Sequence, residues 1–137
     1  MKNVVFSHYG TTLDTRRKGT ASKPESWRPN VGLLSQPDFR VSRLHLFYST
    51  LFHPGLESVL RDMKEVSPET EIVLEPYEDT NPWSFEENYA RLYDYARNMK
   101  FDTQNESYYV HLATGTHATQ ICLFLLTEAR FFPVKNG

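Results

Sequence analysis

Along this chain the hydrophobic period changes back and forth, and that alternation limits the available folds more than any other feature. Val4–Tyr9 (VVFSHY) is a short apolar run closed by Gly10, Thr11 and Thr12, and Arg43–Tyr48 (RLHLFY) alternates apolar and polar residues. The first reads as a short strand and the second has the two-residue period of one. Near position 56 the period lengthens. Leu56, Val59, Leu60, Met63 and Val66 recur at helical spacing behind Pro54, a residue suited to a first helical turn. Glu71–Tyr77 (EIVLEPY) is a third strand, and Asn81-Pro82-Trp83 a turn. Ser84 with Glu87 three residues later is a capping box for the next helix, which carries Phe85, Tyr89, Leu92, Tyr93, Ala96 and Met99 on one face. Tyr108–Leu112 is a fourth strand. A last helix follows, capped by Thr116 and running to about Phe132. With a short helix expected at Val31–Ser35, the order is β, α, β, α, β, α, β, α. Strands alternating with helices are parallel strands joined by right-handed crossovers, with helices on both faces. The expected class is a Rossmann-like α/β fold with its strands in the order 3-2-1-4-5. The fifth strand is in doubt, because PVKNG is too short to make a good one.

Bulk properties narrow the functions. The 137 residues suffice for one domain. A net charge of −2 gives no general attraction to nucleic acid or membrane, so a basic site has to be local. The single Cys122 sits in the apolar run of the last helix and cannot form an intrachain disulfide, which suits a reducing cytoplasm. The opening MKNVVFSHYG has no signal-peptide core, and no apolar run approaches the ~20 residues of a membrane helix. A cytoplasmic protein without a membrane partner is expected. The five histidines (His8, His45, His53, His111 and His117) form no H-x-H, H-E-x-x-H or Cys/His cluster, so no zinc site is expected. Neither G-x-G-x-x-G nor a P-loop occurs, so NAD and ATP in their usual motifs are not expected, and no cofactor is assigned.

In an open parallel sheet, ligands bind beyond the carboxyl ends of the strands where the strand order reverses. Strands 1 and 4 flank that point. Two loops then face each other, Gly10-Thr11-Thr12 and Thr114-Gly115-Thr116-His117. Both offer glycine for close backbone approach and hydroxyls for hydrogen bonding. The second also opens a helix, whose N–H groups and dipole favour an anion, so a phosphate-bearing ligand fits. His117, in the first turn, is placed to touch that phosphate. Gly and Thr are equally common as plain turn and cap residues. His8 and His111 lie within strands and read as packed rather than catalytic, and Cys122 and Phe85–Tyr89–Tyr93 read as core. The long loop Asp14–Asn30 sets Arg16, Arg17, Lys18, Lys23 and Arg28 beside Trp27, a combination that can clamp a nucleic-acid backbone and stack a base. A solvated loop is the simpler reading.

Several blocks together carry a family likeness: GTTLD after strand 1, WRP at Trp27–Pro29, VSPETE at Val66–Glu71, NPWSFEENYA at Asn81–Ala90, and ATGTHATQICLFLLTEARFFP at Ala113–Pro133. In order and over nearly the whole chain, they resemble the amino-terminal sensor domain of the RtcR family, sigma-54-dependent activators of a bacterial RNA-repair operon. That sensor is a CARF domain, a CRISPR-associated Rossmann-type fold. The resemblance implies a homodimer whose ligand site is shared by two copies. It also implies a nucleotide or short-RNA ligand, with RNA ending in a 2′,3′-cyclic phosphate as the proposed signal and a neighbouring AAA+ ATPase domain as the controlled element. The family's usual ligand-contacting loops map to Gly10, Thr11 and Thr12 and to Thr114, Gly115, Thr116 and His117. Gln120 is a further contact, and Trp27, Arg28 and Trp83 are candidates for stacking. The ATPase and helix-turn-helix domains, through which the family meets sigma-54 RNA polymerase and promoter DNA, are not in this sequence. A single sensing domain over 1–137 is therefore expected, excised or truncated, without catalysis of its own. One rival is a metal-independent ring nuclease that cleaves cyclic oligoadenylate through a ribose 2′-hydroxyl, although no loop lysine or strongly placed base follows strand 4. Another is a dimerisation module with a degenerate pocket.

Overall fold

The computed structural model describes residues 1–9, 29–50, 55–77, 84–112 and 117–134. Its elements are β1 (Lys2–His8), α1 (Pro29–Leu34), β2 (Arg43–Ser49), α2 (Leu56–Val66), β3 (Glu71–Tyr77), α3 (Phe85–Asn98), β4 (Glu106–His111) and α4 (His117–Glu128). All strand pairs are parallel and the sheet order is β3-β2-β1-β4, as the alternation of periods requires. Val134 adds one parallel bridge to Tyr108, on the far side of β4 from β1. The fifth position of the expected order is thus marked by a single residue.

β1 lies between two neighbours and is covered on both faces, which is why Val4 to His8 are all buried and read as a continuous run. Its side chains divide the core. Val4 and Phe6 pack with Phe47, Tyr108, Leu92, Ala96, Cys122, Leu123, Leu126 and Phe132 under α3 and α4. Val5 packs with Leu44, Leu46, Leu56, Val59 and Met63 under α1 and α2. Each such aliphatic or aromatic side chain contributes about 1.5–3 kcal/mol by leaving water.

Two expectations need correction. Phe85–Tyr89–Tyr93 is core only in part: Phe85 is 44% exposed, Tyr89 and Tyr93 are half-buried at the edge of the core, and the buried stripe is Asn88, Leu92 and Ala96. The aromatic rings also stack on one another along the helix, Phe85 on Tyr89 at 5.8 Å and Tyr89 on Tyr93 at 6.3 Å, with Phe131 edge-on to Tyr93. The last helix also stops earlier than expected, at Glu128. Arg130 takes the left-handed conformation (φ 66), its N–H bonds Thr127 O and the Phe131 N–H bonds Leu126 O. That is a Schellman stop built without glycine. It turns the chain so that Phe132 enters the core, fully buried. Ser84 caps α3 as expected, its Oγ accepting from the Glu87 N–H at 3.3 Å. Among the described residues no helix is long and apolar enough to cross a membrane.

Candidate functional site

The carboxyl ends of β1 and β4 are adjacent, because Ser7 is the register partner of His111. Both loops singled out in the sequence therefore leave the sheet from neighbouring points. At that spot the described residues form a polar cluster. The fully buried Asn30, at the start of α1, donates from Nδ2 to His8 O at 2.8 Å. A carbonyl can only accept, so Oδ1 of Asn30 is the acceptor facing Ser7. Ser7 Oγ donates to it at 2.5 Å and lies 3.1 Å from His111 Nδ1. With its one proton directed at Asn30, the Ser7 oxygen accepts from His111, and Nδ1 carries the ring proton. Ser7 is accordingly a positioned acceptor for the imidazole and not a nucleophile that the imidazole activates. His111 is half-buried. His8 points to the opposite face, where it stacks on Phe47 at 5.2 Å. Burial holds it neutral, with its pKa lowered to about 3.

On that opposite face a second cluster crosses the sheet. Arg43 on β2 grips Glu106 on β4 with two bonds, 2.7 and 3.0 Å, and its Nε–H donates to His45 Nε2 at 2.9 Å. His45 Nδ1 is therefore protonated and donates to Glu75 Oε2 on β3 at 3.2 Å. The Tyr95 hydroxyl of α3 donates to the same oxygen. The Tyr108 hydroxyl donates to Glu106 Oε1 at 2.6 Å and accepts from the Asp102 N–H. The Arg43 hydrogen bonds hold the Glu106 carboxyl down to about 2, while burial lowers His45 and raises Tyr95. Phe6 stacks on the His45 ring at 4.9 Å. Above this cluster, toward the carboxyl ends of the strands, a cavity of 280 Å³ lies between sheet and α3, lined by His8, Phe47, Glu75, Asn88, Arg91 and Tyr95 among others.

Of the residues proposed from sequence, Gly10, Thr11, Thr12, Trp27, Arg28, Trp83, Thr114, Gly115 and Thr116 lie outside the described residues. His117 is the first residue of α4, and Gln120, one turn on, is half-buried. Cys122 is fully buried as expected, its thiol pushed up to about 11, which makes it an inert core residue. Sequence reasoning missed Ser7 and Asn30 and treated His111 as packing. No local motif marks them: Ser7 and His111 are 104 positions apart. Only the strand order and register together would have placed them side by side.

Comparison with known proteins adds a family model, RtcR, "Regulator of RNA terminal phosphate cyclase", which matches residues 1–136. The transcriptional regulatory protein RtcR of Escherichia coli (strain K12) is 42% identical over 134 residues, which is 98% of this chain and 25% of that protein. The chain thus spans about a quarter of its curated relative. Among solved structures, Enterococcus italicus Csm6 bound to cyclic hexa-2′-fluoro-hexa-dAMP matches with a TM-score of 0.68 over 97% of this chain and 31% of that one. The sequence identity there is 15%, so the likeness is one of fold.

Proposed function

Because this chain belongs to the family of RtcR regulators of RNA terminal phosphate cyclase, we propose that it is the ligand-sensing part of a transcriptional regulator and that its ligand is a phosphate-bearing RNA end or small oligonucleotide. The observation that carries the reading is the Ser7–His111 register. It puts the carboxyl ends of β1 and β4 side by side at the switch point of a parallel sheet, where such folds take ligands, and Gly10–Thr12 and Thr114–His117 follow those ends in sequence. The family's name points in the same direction, since a regulator of an enzyme acting on RNA terminal phosphates is well served by sensing RNA termini. Within this reading a 2′,3′-cyclic phosphate sits on the N–H groups opening α4, with hydroxyls from Thr11, Thr12 and Thr114 around it and Trp27 or Trp83, with Arg28, against a base. Binding biases one arrangement of a dimer over another, and a neighbouring AAA+ domain responds.

A homodimer is supported by the outward side of α4. Ile121 is 50% exposed, Phe124 51% and Leu125 40%, an apolar strip next to Phe85 and Phe131 that suits a second copy. The testing experiment is a titration with a short RNA ending in a 2′,3′-cyclic phosphate and with the same RNA ending in a 3′-hydroxyl. Preference for the first is expected, and equal binding of both that weakens steeply with salt overturns end recognition.

One observation favours a second reading. The fold relative Csm6 is seen with a cyclic hexanucleotide analogue. If the ligand here is a cyclic oligoadenylate, incubation with cyclic tetra- and hexa-adenylate followed by product analysis separates binding from ring-nuclease cleavage.

A further inference from the structure

We propose that the cavity between the sheet and α3 is a binding site for a small zwitterion, whose ammonium meets the Glu75 carboxylate and whose anionic group meets Arg91. The proposal goes beyond the RNA-end reading and does not depend on it.

The first observation is polarity where packing alone calls for the opposite. A helix side turned onto a sheet is normally apolar. Along this cavity α3 presents Asn88, Arg91, Asp94, Tyr95 and Asn98, with Leu92 the one aliphatic residue among them.

The second is that the right atoms are available. The Tyr95 hydroxyl and His45 Nδ1 both donate to Oε2 of Glu75, and Oε1 is left as an acceptor. The two bonds also fix the carboxylate, whose side chain is only 21% exposed, so little ordering is needed when a donor arrives. Arg91 is half-buried, and among the described residues no hydrogen bond, ion pair or ring contact holds its guanidinium. Such a group matches a carboxylate or a phosphate with two parallel bonds. Asn98 spends Nδ2 on the Asp94 carbonyl at 2.9 Å and keeps Oδ1 as a further acceptor.

These atoms select the occupant. A lone anion in the cavity would meet the Glu75 and Asp94 carboxylates, and a lone cation would meet Arg91. A molecule carrying both signs satisfies both ends. His8, also on the wall, is held neutral by burial and favours neither. Phe47, Leu92 and Pro76 supply apolar surface for the body between the two charges. At 280 Å³ the cavity falls just below the roughly 300 Å³ of the smallest drug-sized sites, so the ligand is a single small molecule. An α-amino acid, with a carboxylate, and phosphoethanolamine, with a phosphate, share this chemistry.

The test is calorimetric titration of the 137-residue chain with L-leucine and with O-phosphoethanolamine, the Arg91 Nε–H NMR signal serving as the readout of place. Propylamine and propionate are the single-charge controls. At least one zwitterion is expected to shift the Arg91 signal and to bind about tenfold or more tighter than either control. A preference for leucine assigns the anion as carboxylate, and a preference for phosphoethanolamine assigns it as phosphate. Arg91→Gln, which breaks no bond described in the free protein, should weaken binding about tenfold, and Arg91→Lys should recover part of the loss. The proposal is overturned if neither zwitterion moves the Arg91 signal at about 10 mM, or if binding is as tight in Arg91→Gln. Adenosine 5′-monophosphate bound there in place of both zwitterions overturns it too, since a base and not an ammonium would then fill the cavity.

Discussion

Two histidines on β2 and β4, the strands on either side of β1, have different settings. His45 is closed on both sides: Nε2 accepts from Arg43, Nδ1 donates to Glu75, and Phe6 covers the ring face. The network around it joins β2, β3, β4 and α3, and holds those elements in register. His111 has its Nδ1 directed at a buried serine, and sits where the sheet ends and the loops begin. The first arrangement ties three strands and a helix together, and the second ties the end of β4 to β1. Like residues thus acquire unlike surroundings: charged groups bond His45, and a buried hydroxyl bonds His111.

The largest expected effect that sharpens this contrast is on stability. Arg43→Met removes one partner of a largely buried ion pair and strands Glu106 and His45 Nε2, and it should cost about 3 kcal/mol in urea unfolding. His111→Asn should cost well under half as much. An equal loss in both variants would dissolve the distinction between the charged cluster across the sheet and the neutral one at its end.

Acid should act next, and on the structural side. His8 has a folded pKa of about 3 against 6.5 ordinarily, so the unfolded chain binds the extra proton between those values and stability falls as pH drops below about 6.5. Glu106, lowered to about 2 from 4.5, contributes stability that is present above about 4.5 and is lost between 4.5 and 2. Unfolding followed against pH should decline in two stages, the first with a slope of up to about 1.4 kcal/mol per unit, one proton's worth. His8→Phe, which can keep the stack on Phe47, should flatten the first stage and leave the second.

Ser7→Ala leaves Asn30 Oδ1 without that donor and should cost about 1 kcal/mol by thermal unfolding. The smallest effect belongs to a control remote from both histidines. Arg130→Gly relieves the left-handed backbone that ends α4 and should raise stability by up to about 1 kcal/mol, with both histidine spectra unchanged.

Most of the fold was legible because it is written in local periods. Glu71–Tyr77 matches the expected strand residue for residue, and β1, β2 and β4 differ from theirs by one or two residues at the ends. The α3 face was read too broadly because Phe85, Tyr89 and Tyr93 share helical spacing, and spacing alone does not say where a stripe leaves the core; Tyr89 and Tyr93 pack at its edge and Phe85 is exposed. The end of α4 escaped notice because a Schellman stop is usually announced by glycine, and here arginine occupies the position. The candidate site was legible in its location, through the switch-point rule, but not in its described residues. Ser7, Asn30 and His111 converge only after three separate elements have docked.

That convergence bears on when the molecule becomes competent during its own making. β1 is among the first segments to be synthesised, yet one of its two neighbours is β4, and the bond from Ser7 to His111 spans 104 positions. Until about four-fifths of the chain has emerged, the central strand has one edge unpaired and Ser7 lacks its imidazole partner. Folding dominated by such distant pairings is slow compared with helical bundles of the same size. A half-made or nicked copy that lacks β4 leaves Ser7 without His111, so this cluster forms only once the sheet around it is complete.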